Sequence, residues 1–539
     1  MSRMPECWGV LLILLLYGCG DRTVPPVSTA TVDDRIERTP QQVALLDLGF
    51  DALAQRIALI RSAKSRIDVQ TFIYADDTAG RLLLEEMAAA ADRGVRVRLL
   101  VDALFCALPP ERLAWLRKEH PNLAIALYNP RPKEVVEARR ELQDEVDQGI
   151  NHRMHNKLLV VDGQTGITGG RNHEDAYFDI GQGLNYRDRE VMIRGITARQ
   201  MAACASSWWF HPLTVPVDDL IAVSTATPAP AGDELAARVA AVRAAIDRRL
   251  AETPAPDWRP AGATAFWWDV PGRLQDADVA STVVGLRHVL GLAKQRLEIT
   301  SPYCVMTSGS LENLEGLRER GLAVDILTNS LASTDAWWAY GGYLRDRRRL
   351  VANGVALSET RPMPAEHAQM WSQRPEVVAL RAGGREPFLS LHAKCMMLDS
   401  QLAIIGTFNL DPRSTTTNTE QVLMVRDSEV VQELQRLMHA DAAPANAWRV
   451  GYRDLTLGWF HAPFVRLSEW TGDWLSLDIY PVQPTSCFDL IPGQQPVPVE
   501  SPDFRQHWRE VGPTPGADAA IIRRASAVQT FGAAFTPLL

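Results

Sequence analysis

Residues 151–172, NHRMHNKLLVVDGQTGITGGRN, are echoed far downstream by residues 391–409, LHAKCMMLDSQLAIIGTFN. His155, Lys157, Asp162, Gly169 and Asn172 of the first stretch correspond to His392, Lys394, Asp399, Gly406 and Asn409 of the second, and each pair stands 237 residues apart. A shared spacing over five chemically distinct residues predicts a duplicated unit rather than a chance match. The flanks repeat as well. ALIRSAKSRIDVQTFIY has a counterpart in HVLGLAKQRLEITSPYC, each the end of an amphipathic helix followed by an alternating strand. LLLEEMAAAADRGVRVRLLVDAL, with a helix stop at Gly94, is matched by LENLEGLRERGLAVDILTNSL, with its stop at Gly321. The apolar runs LLVVD and CMMLD read as buried strands. Strand and helix alternate, so the fold class is α/β: two similar α/β/α lobes with mixed sheets, related by a pseudo-twofold axis, with the site between them.

A His and a Lys two residues apart on a strand share one face of the sheet. His155 with Lys157 and His392 with Lys394 therefore converge on one cleft, joined by the amides of Asn172 and Asn409. Two imidazoles, two ammonium groups and two amides suit a phosphodiester, whose non-bridging oxygens the cations neutralise. One imidazole can attack phosphorus while the other protonates the departing alcohol, then serves as base for the incoming hydroxyl. A carboxylate on each imidazole would fix its orientation and tautomer. Glu420, in NTEQ, is the candidate for one half and Asp188, in YRDREV, for the other, with Glu190 a competing choice. This chemistry needs no metal or other cofactor, and the cysteines show no metal-ligand spacing.

The doubled H-x-K-x4-D-x6-G-x2-N pattern resembles the HKD signature of the phospholipase D superfamily. RMHNK with GGRN, ILTNSLASTDA, and GTFNLDPRS followed by NTE are similar to bacterial cardiolipin synthases of the C type, over about Leu45 to Val425. The resemblance implies two phospholipase D-like lobes. It also implies that His155 and His392 are nucleophile and general acid, and that Lys157, Lys394, Asn172 and Asn409 bind phosphate. Asp162 and Asp399 are implied to support strand and turn rather than touch substrate, beside the motif glycines Gly169 and Gly406. The implied reaction transfers a phosphatidyl group to phosphatidylglycerol to give cardiolipin. Water as acceptor would instead release phosphatidic acid. The residue after each motif glycine, often Ser in the superfamily, is Gly170 in one copy and Thr407 in the other; Gly170 loses a hydroxyl that could reach phosphate.

The rest of the chain frames this core. With 56 basic and 65 acidic side chains in 539 residues and a net charge of −9, no overall positive field gathers nucleic acid, which disfavours a nuclease. A non-catalytic lipid-binding envelope protein is the rival outside catalysis. The partners expected are phospholipids, phosphatidylglycerol with phosphatidylethanolamine as a further candidate; no protein partner is indicated. MSRMPECWGVLLILLLYGCGDR reads as a signal ending in a bacterial lipobox, with Cys19 the lipidated residue; an uncleaved anchor is the alternative. Both place the protein on a membrane, the first as a periplasm-facing lipoprotein of the bacterial envelope, with inner and outer membrane undecided. The domains expected are the signal peptide 1–19, a tether 20–40, a first lobe 41–224, a linker 225–263, a second lobe 264–437 and a Trp-rich extension 438–539. Adjacent Trp pairs read as core, with a lipid-facing role as the alternative. Arg413 reads equally as a phosphate ligand or a structural ion pair, and the arginines of YLRDRRRL as a solvated helix face.

Overall fold

The computed structural model describes residues 41–130, 152–220, 232–253, 255–271, 281–381, 387–426, 428–453 and 483–530. Cys19 with the whole signal and tether, and Trp459, Trp470 and Trp474, lie outside them.

Two mixed sheets, one of nine strands and one of ten, carry the architecture. At the centre of the first, Arg66–Thr71, Arg96–Asp102 and Leu123–Tyr128 run parallel. Leu158–Val161 lies antiparallel to Arg66–Thr71 and forms a hairpin with Thr165–Gly169, which pairs antiparallel with Glu190–Arg194. The second sheet repeats this order. Arg296–Thr300, Ala323–Asn329 and Ala356–Thr360 are parallel, and Cys395–Leu398, Leu402–Gly406 and Gln421–Arg426 complete the antiparallel side. Gln41–Leu46 beside Glu190–Arg194 and Ala263–Trp268 beside Gln421–Arg426 take the same relative position in the two sheets, and Arg259–Ala261 adds a further, outermost strand to the first. Each lobe is therefore the duplicated unit that the repeat predicts.

The helices follow from the pattern of small and apolar residues between strands. Thr78–Asp92 starts where Asp77 accepts from the Gly80 amide at 3.0 Å, and Gly94 at φ 91° turns the chain back into the next strand. Gly321, at φ 85°, does the same in the second lobe after Ser308–Glu319. One apolar core lies under the outer helices of each lobe, and a third lies between the lobes. That third core joins Leu158, Val160 and Val191 of one sheet to Ile405, Leu423 and Val425 of the other, with Trp208 and Leu434 from two intervening helices.

The stretch read as a linker holds the helix Asp233–Glu252, which packs on the two helices of the first lobe, so much of it is structural. Beyond residue 438, the strands Ala447–Tyr452, Thr485–Leu490 and Trp508–Gly512 extend the second sheet. Arg347 corrects one expectation. It is fully buried, with Nε 3.0 Å from Glu359 Oε1, because its helix is covered by the C-terminal helix Ala519–Thr530 instead of facing solvent.

Candidate active site

Each motif histidine directly follows the short strand by which the two lobes are joined. Arg153–Met154 pairs in parallel with Asn418–Thr419 of the other lobe, and Phe388–Leu391 pairs in parallel with Leu184–Arg187. The residue that follows each of these four strands is one of the candidate site residues: His155, Glu420, His392 and Asp188. The His155 amide donates to the Thr419 carbonyl at 3.2 Å, and the His392 amide to the Arg187 carbonyl at 2.8 Å. The consequence is an exchange of carboxylates between lobes. His155 Nδ1 lies 2.9 and 3.1 Å from the two Glu420 oxygens, and His392 Nδ1 lies 2.6 Å from Asp188 Oδ2.

A carboxylate only accepts, so each Nδ1 shares a proton with its carboxylate, with Lys394 Nζ also 2.9 Å from His392 Nδ1, and each Nε2 is left for the cleft, as a lone pair in the neutral ring or as an N–H in the imidazolium. Lys157 Nζ donates to the carbonyl of His155 at 2.9 Å, and Lys394 Nζ donates to that of His392. Both histidines, both lysines and both carboxylates are buried. Burial depresses the basicity of His155, and the charges of Lys157, Lys394 and Arg413 depress it further. His392 is brought down to about 4 by burial and then Lys394, against the opposing pull of Asp188. Lys394 falls to about 8 through burial, opposed by Asp188 and Glu420, and Lys157 is lowered by burial and by Lys394. Two cations held close in a poorly solvated cleft create a site that a bound phosphodiester anion relieves.

Supporting contacts explain the local sequence. Glu420 is also bound by the hydroxyls of Thr407 and of Ser414, the latter at 2.7 Å. In the other copy a Cβ on Gly170 would fall 2.3 Å from Asp188 Oδ1. The Thr407 hydroxyl is thus spent on a carboxylate and Gly170 makes room for one, which corrects the expectation of a lost phosphate ligand. Cβ atoms on Gly169 and Gly406 would lie 2.4 and 2.2 Å from the Arg189 and Gln421 carbonyls, so only glycine permits these close strand approaches. Asp162 Oδ atoms accept from the amides of Lys64, Ser65 and Arg66, and Asp399 accepts from Lys294, Gln295 and Arg296, all at 2.8–2.9 Å. Both sit at turns away from the cleft. Glu190, the competing carboxylate, pairs instead with Arg56 and Arg171.

The two asparagines were read from the sequence, whereas Tyr177, Phe72, Asp102, Asn329, Arg187 and Arg189 were not. Asn172 accepts from the Ile73 amide at 3.1 Å and donates to the Tyr177 hydroxyl at 2.8 Å, which lies 3.3 Å from His392 Nε2. The carbonyl oxygen of the Asn409 side chain is buried and receives no hydrogen bond among the described residues. Phe72 packs edge-on against His155 at 4.8 Å. Asp102 accepts from the Met154 amide at 3.0 Å and Asn329 from the Leu391 amide at 2.8 Å, so each braces the residue before a motif histidine. Arg187 and Arg189, flanking Asp188, clamp Asp47 of the first lobe and Asp441 of the second at 2.7–3.1 Å. The 237-residue spacing aligns Tyr177 with Ser414, but the two take different partners, Tyr177 contacting Asn172 and His392 and Ser414 binding Glu420.

Residues 57–203 and 286–442 match the family described as "Cardiolipin synthase, PLD-like domain", one match per lobe. The chain belongs to this family of the phospholipase D superfamily. It is 30% identical to cardiolipin synthase C of Escherichia coli K12 over 408 residues, 72% of this chain and 82% of that protein. Cardiolipin synthase 1 of Bacillus anthracis is 24% identical over 73% of this chain and 64% of its own length. Among solved structures, the phosphatidylserine synthase of Haemophilus influenzae Rd KW20 superposes with a TM-score of 0.53 at 15% identity, covering 80% of this chain and 93% of that one, a likeness of fold. As a member of the family this chain is a phospholipase D-like phosphatidyltransferase.

Proposed function

We propose that this phosphatidyltransferase makes cardiolipin, passing a phosphatidyl group from one phospholipid to a hydroxyl of phosphatidylglycerol through a phosphatidyl-histidine intermediate. The observation that carries the proposal is the reciprocal pairing of His155 with Glu420 and His392 with Asp188 across two lysines. The names of the relatives support cardiolipin as the product. In the first step Nε2 of one neutral imidazole bonds to phosphorus, the phosphorus–oxygen bond to the donor's headgroup breaks, and the second ring, doubly protonated as the imidazolium, gives its Nε2 proton to the leaving alkoxide. That second imidazole then takes the proton of the phosphatidylglycerol hydroxyl, whose oxygen displaces the histidine. Lys157 and Lys394, with the Asn172 and Asn409 amides, hold the non-bridging oxygens as charge builds on them.

Among the described residues no helix is long and apolar enough to cross a membrane. Lipidation of Cys19 would bring the enzyme to its substrate and place it in the bacterial envelope; loss of radiolabelled fatty-acid incorporation in Cys19→Ser tests that assignment. The reaction is tested by chromatographic and mass analysis of vesicles of phosphatidylglycerol and phosphatidylethanolamine after incubation with purified protein. Cardiolipin that forms with the native chain and fails to form with His155→Ala or His392→Ala is the expected result. Phosphatidic acid as sole product would make it a hydrolase, and no lipid turnover would sink the proposal.

A further inference from the structure

The chemical centre is built in duplicate, but the arginines around it are not: Arg153 and Arg171 stand opposite Ser390 and Phe408 and are held by partners of their own, which leaves Arg413. Arg413 lies on the short helix Pro412–Thr416, and the 237-residue spacing puts Ala176 in the equivalent place of the first lobe. Its charge bears on His155, Asp102 and Asp411. Neither neighbouring carboxylate claims it. Asp411 accepts from the Ser414 amide at 2.7 Å as the helix cap, and Asp102 accepts from the Leu104 and Met154 amides, with Arg153 Nε at 3.3 Å. Among the described residues the Arg413 guanidinium makes no hydrogen bond or ion pair, although it is partly buried. A guanidinium stays charged at every accessible pH and offers five donors in a rigid fork, so an unpaired one at a cleft calls for an anion from outside.

The opposite flank differs in kind. There Tyr177 and Tyr186 pack around His392, and the hydroxyls of Tyr186 and Tyr303 donate to exposed Asp335 at 3.0 and 3.2 Å. A phosphorus reacting near the pseudo-twofold axis is served by the duplicated groups. An unpaired cation on the His155 flank has no counterpart on the His392 flank.

We propose that Arg413 binds the phosphodiester of the acceptor phospholipid, so that the cleft holds two phosphodiesters, one between the histidines and one beside His155. The proposal rests on the acceptor being phosphatidylglycerol, which brings its own phosphate along with the attacking hydroxyl, whereas water or glycerol brings none. Arg413 is then what favours lipid acceptors over small alcohols.

The test uses the full chain on vesicles with a headgroup-labelled phosphatidyl donor and two acceptors, phosphatidylglycerol and glycerol, for the native protein, Arg413→Gln and Arg413→Lys. The expected result is a loss in R413Q of roughly tenfold or more in kcat/KM for phosphatidylglycerol, carried by KM, against less than about threefold for glycerol, with partial recovery in R413K. Equal losses with both acceptors would assign Arg413 to the reacting phosphate or to the fold and overturn the proposal. So would an unchanged KM for phosphatidylglycerol. Failure of the native protein to use phosphatidylglycerol at all would instead remove the cardiolipin reading beneath it.

Discussion

Because Asp188 and Glu420 can only accept hydrogen bonds, they decide which nitrogen of each imidazole carries the proton. Replacing either by its amide removes that decision, and Asp188→Asn or Glu420→Gln should lower kcat by about 10²- to 10⁴-fold. Nuclear magnetic resonance titration checks the crossed pairing, since Asp188→Asn should move His392 further below about 4 and Glu420→Gln should leave it there. Gly170→Ser restores the residue often found in the superfamily, yet here its Cβ meets the Asp188 carboxylate. Its kcat should fall as far as that of Asp188→Asn, with the protein still folded by circular dichroism. Lys394, at about 8, loses its charge as pH rises through that value, so kcat/KM should decline on the alkaline side. In Lys394→Arg, if turnover persists, that decline should shift upward. The same depression means that the unfolded chain holds the proton more tightly between about pH 8 and 10.5, so stability rises with pH there. Lys394→Met should accordingly melt higher than the native protein at pH 7, with the advantage shrinking toward pH 10.

The turns and short strands set these residues in place. Asp162 and Asp399 fasten the ends of the motif strands to the turns before Arg66 and Arg296, and burial, which would raise their carboxyls, is outweighed by the backbone amides that hold them below the usual range. A depressed carboxyl contributes stability that is present above its unfolded value, near pH 4, and is lost as pH falls through the folded one. Asp162→Ala should therefore cost about 1–3 kcal/mol at neutral pH, with a smaller difference near pH 3, measured by thermal melts. Turnover per folded molecule should be little changed. The two inter-lobe strand pairs are the elements that sequence reading could not supply. Each has only two to four residues per strand, too short for alternation to mark, and parallel pairing between distant segments leaves no local signal. For that reason the histidines, lysines, asparagines and both carboxylates were legible as residue types while the crossing of the carboxylates was not.

At the scale of the molecule, the duplication was legible because five spaced polar residues and the helix and strand patterns around them repeat together. Buried Arg347 and the clamp of Arg187 and Arg189 on Asp47 and Asp441 were not, because charged residues read as surface until a partner from elsewhere in the chain is known. That clamp, the crossed carboxylates and the shared core leave neither lobe with a complete site. On the proposed route two imidazoles act on one phosphorus, one bonding to it and one moving protons, and two successive in-line displacements would restore the original configuration. The most direct measurement follows transfer from a phosphatidyl donor chiral at phosphorus through sulfur and oxygen-isotope substitution. Net retention in the product is the predicted result; net inversion, the mark of a single displacement, would contradict the covalent route on which this account stands.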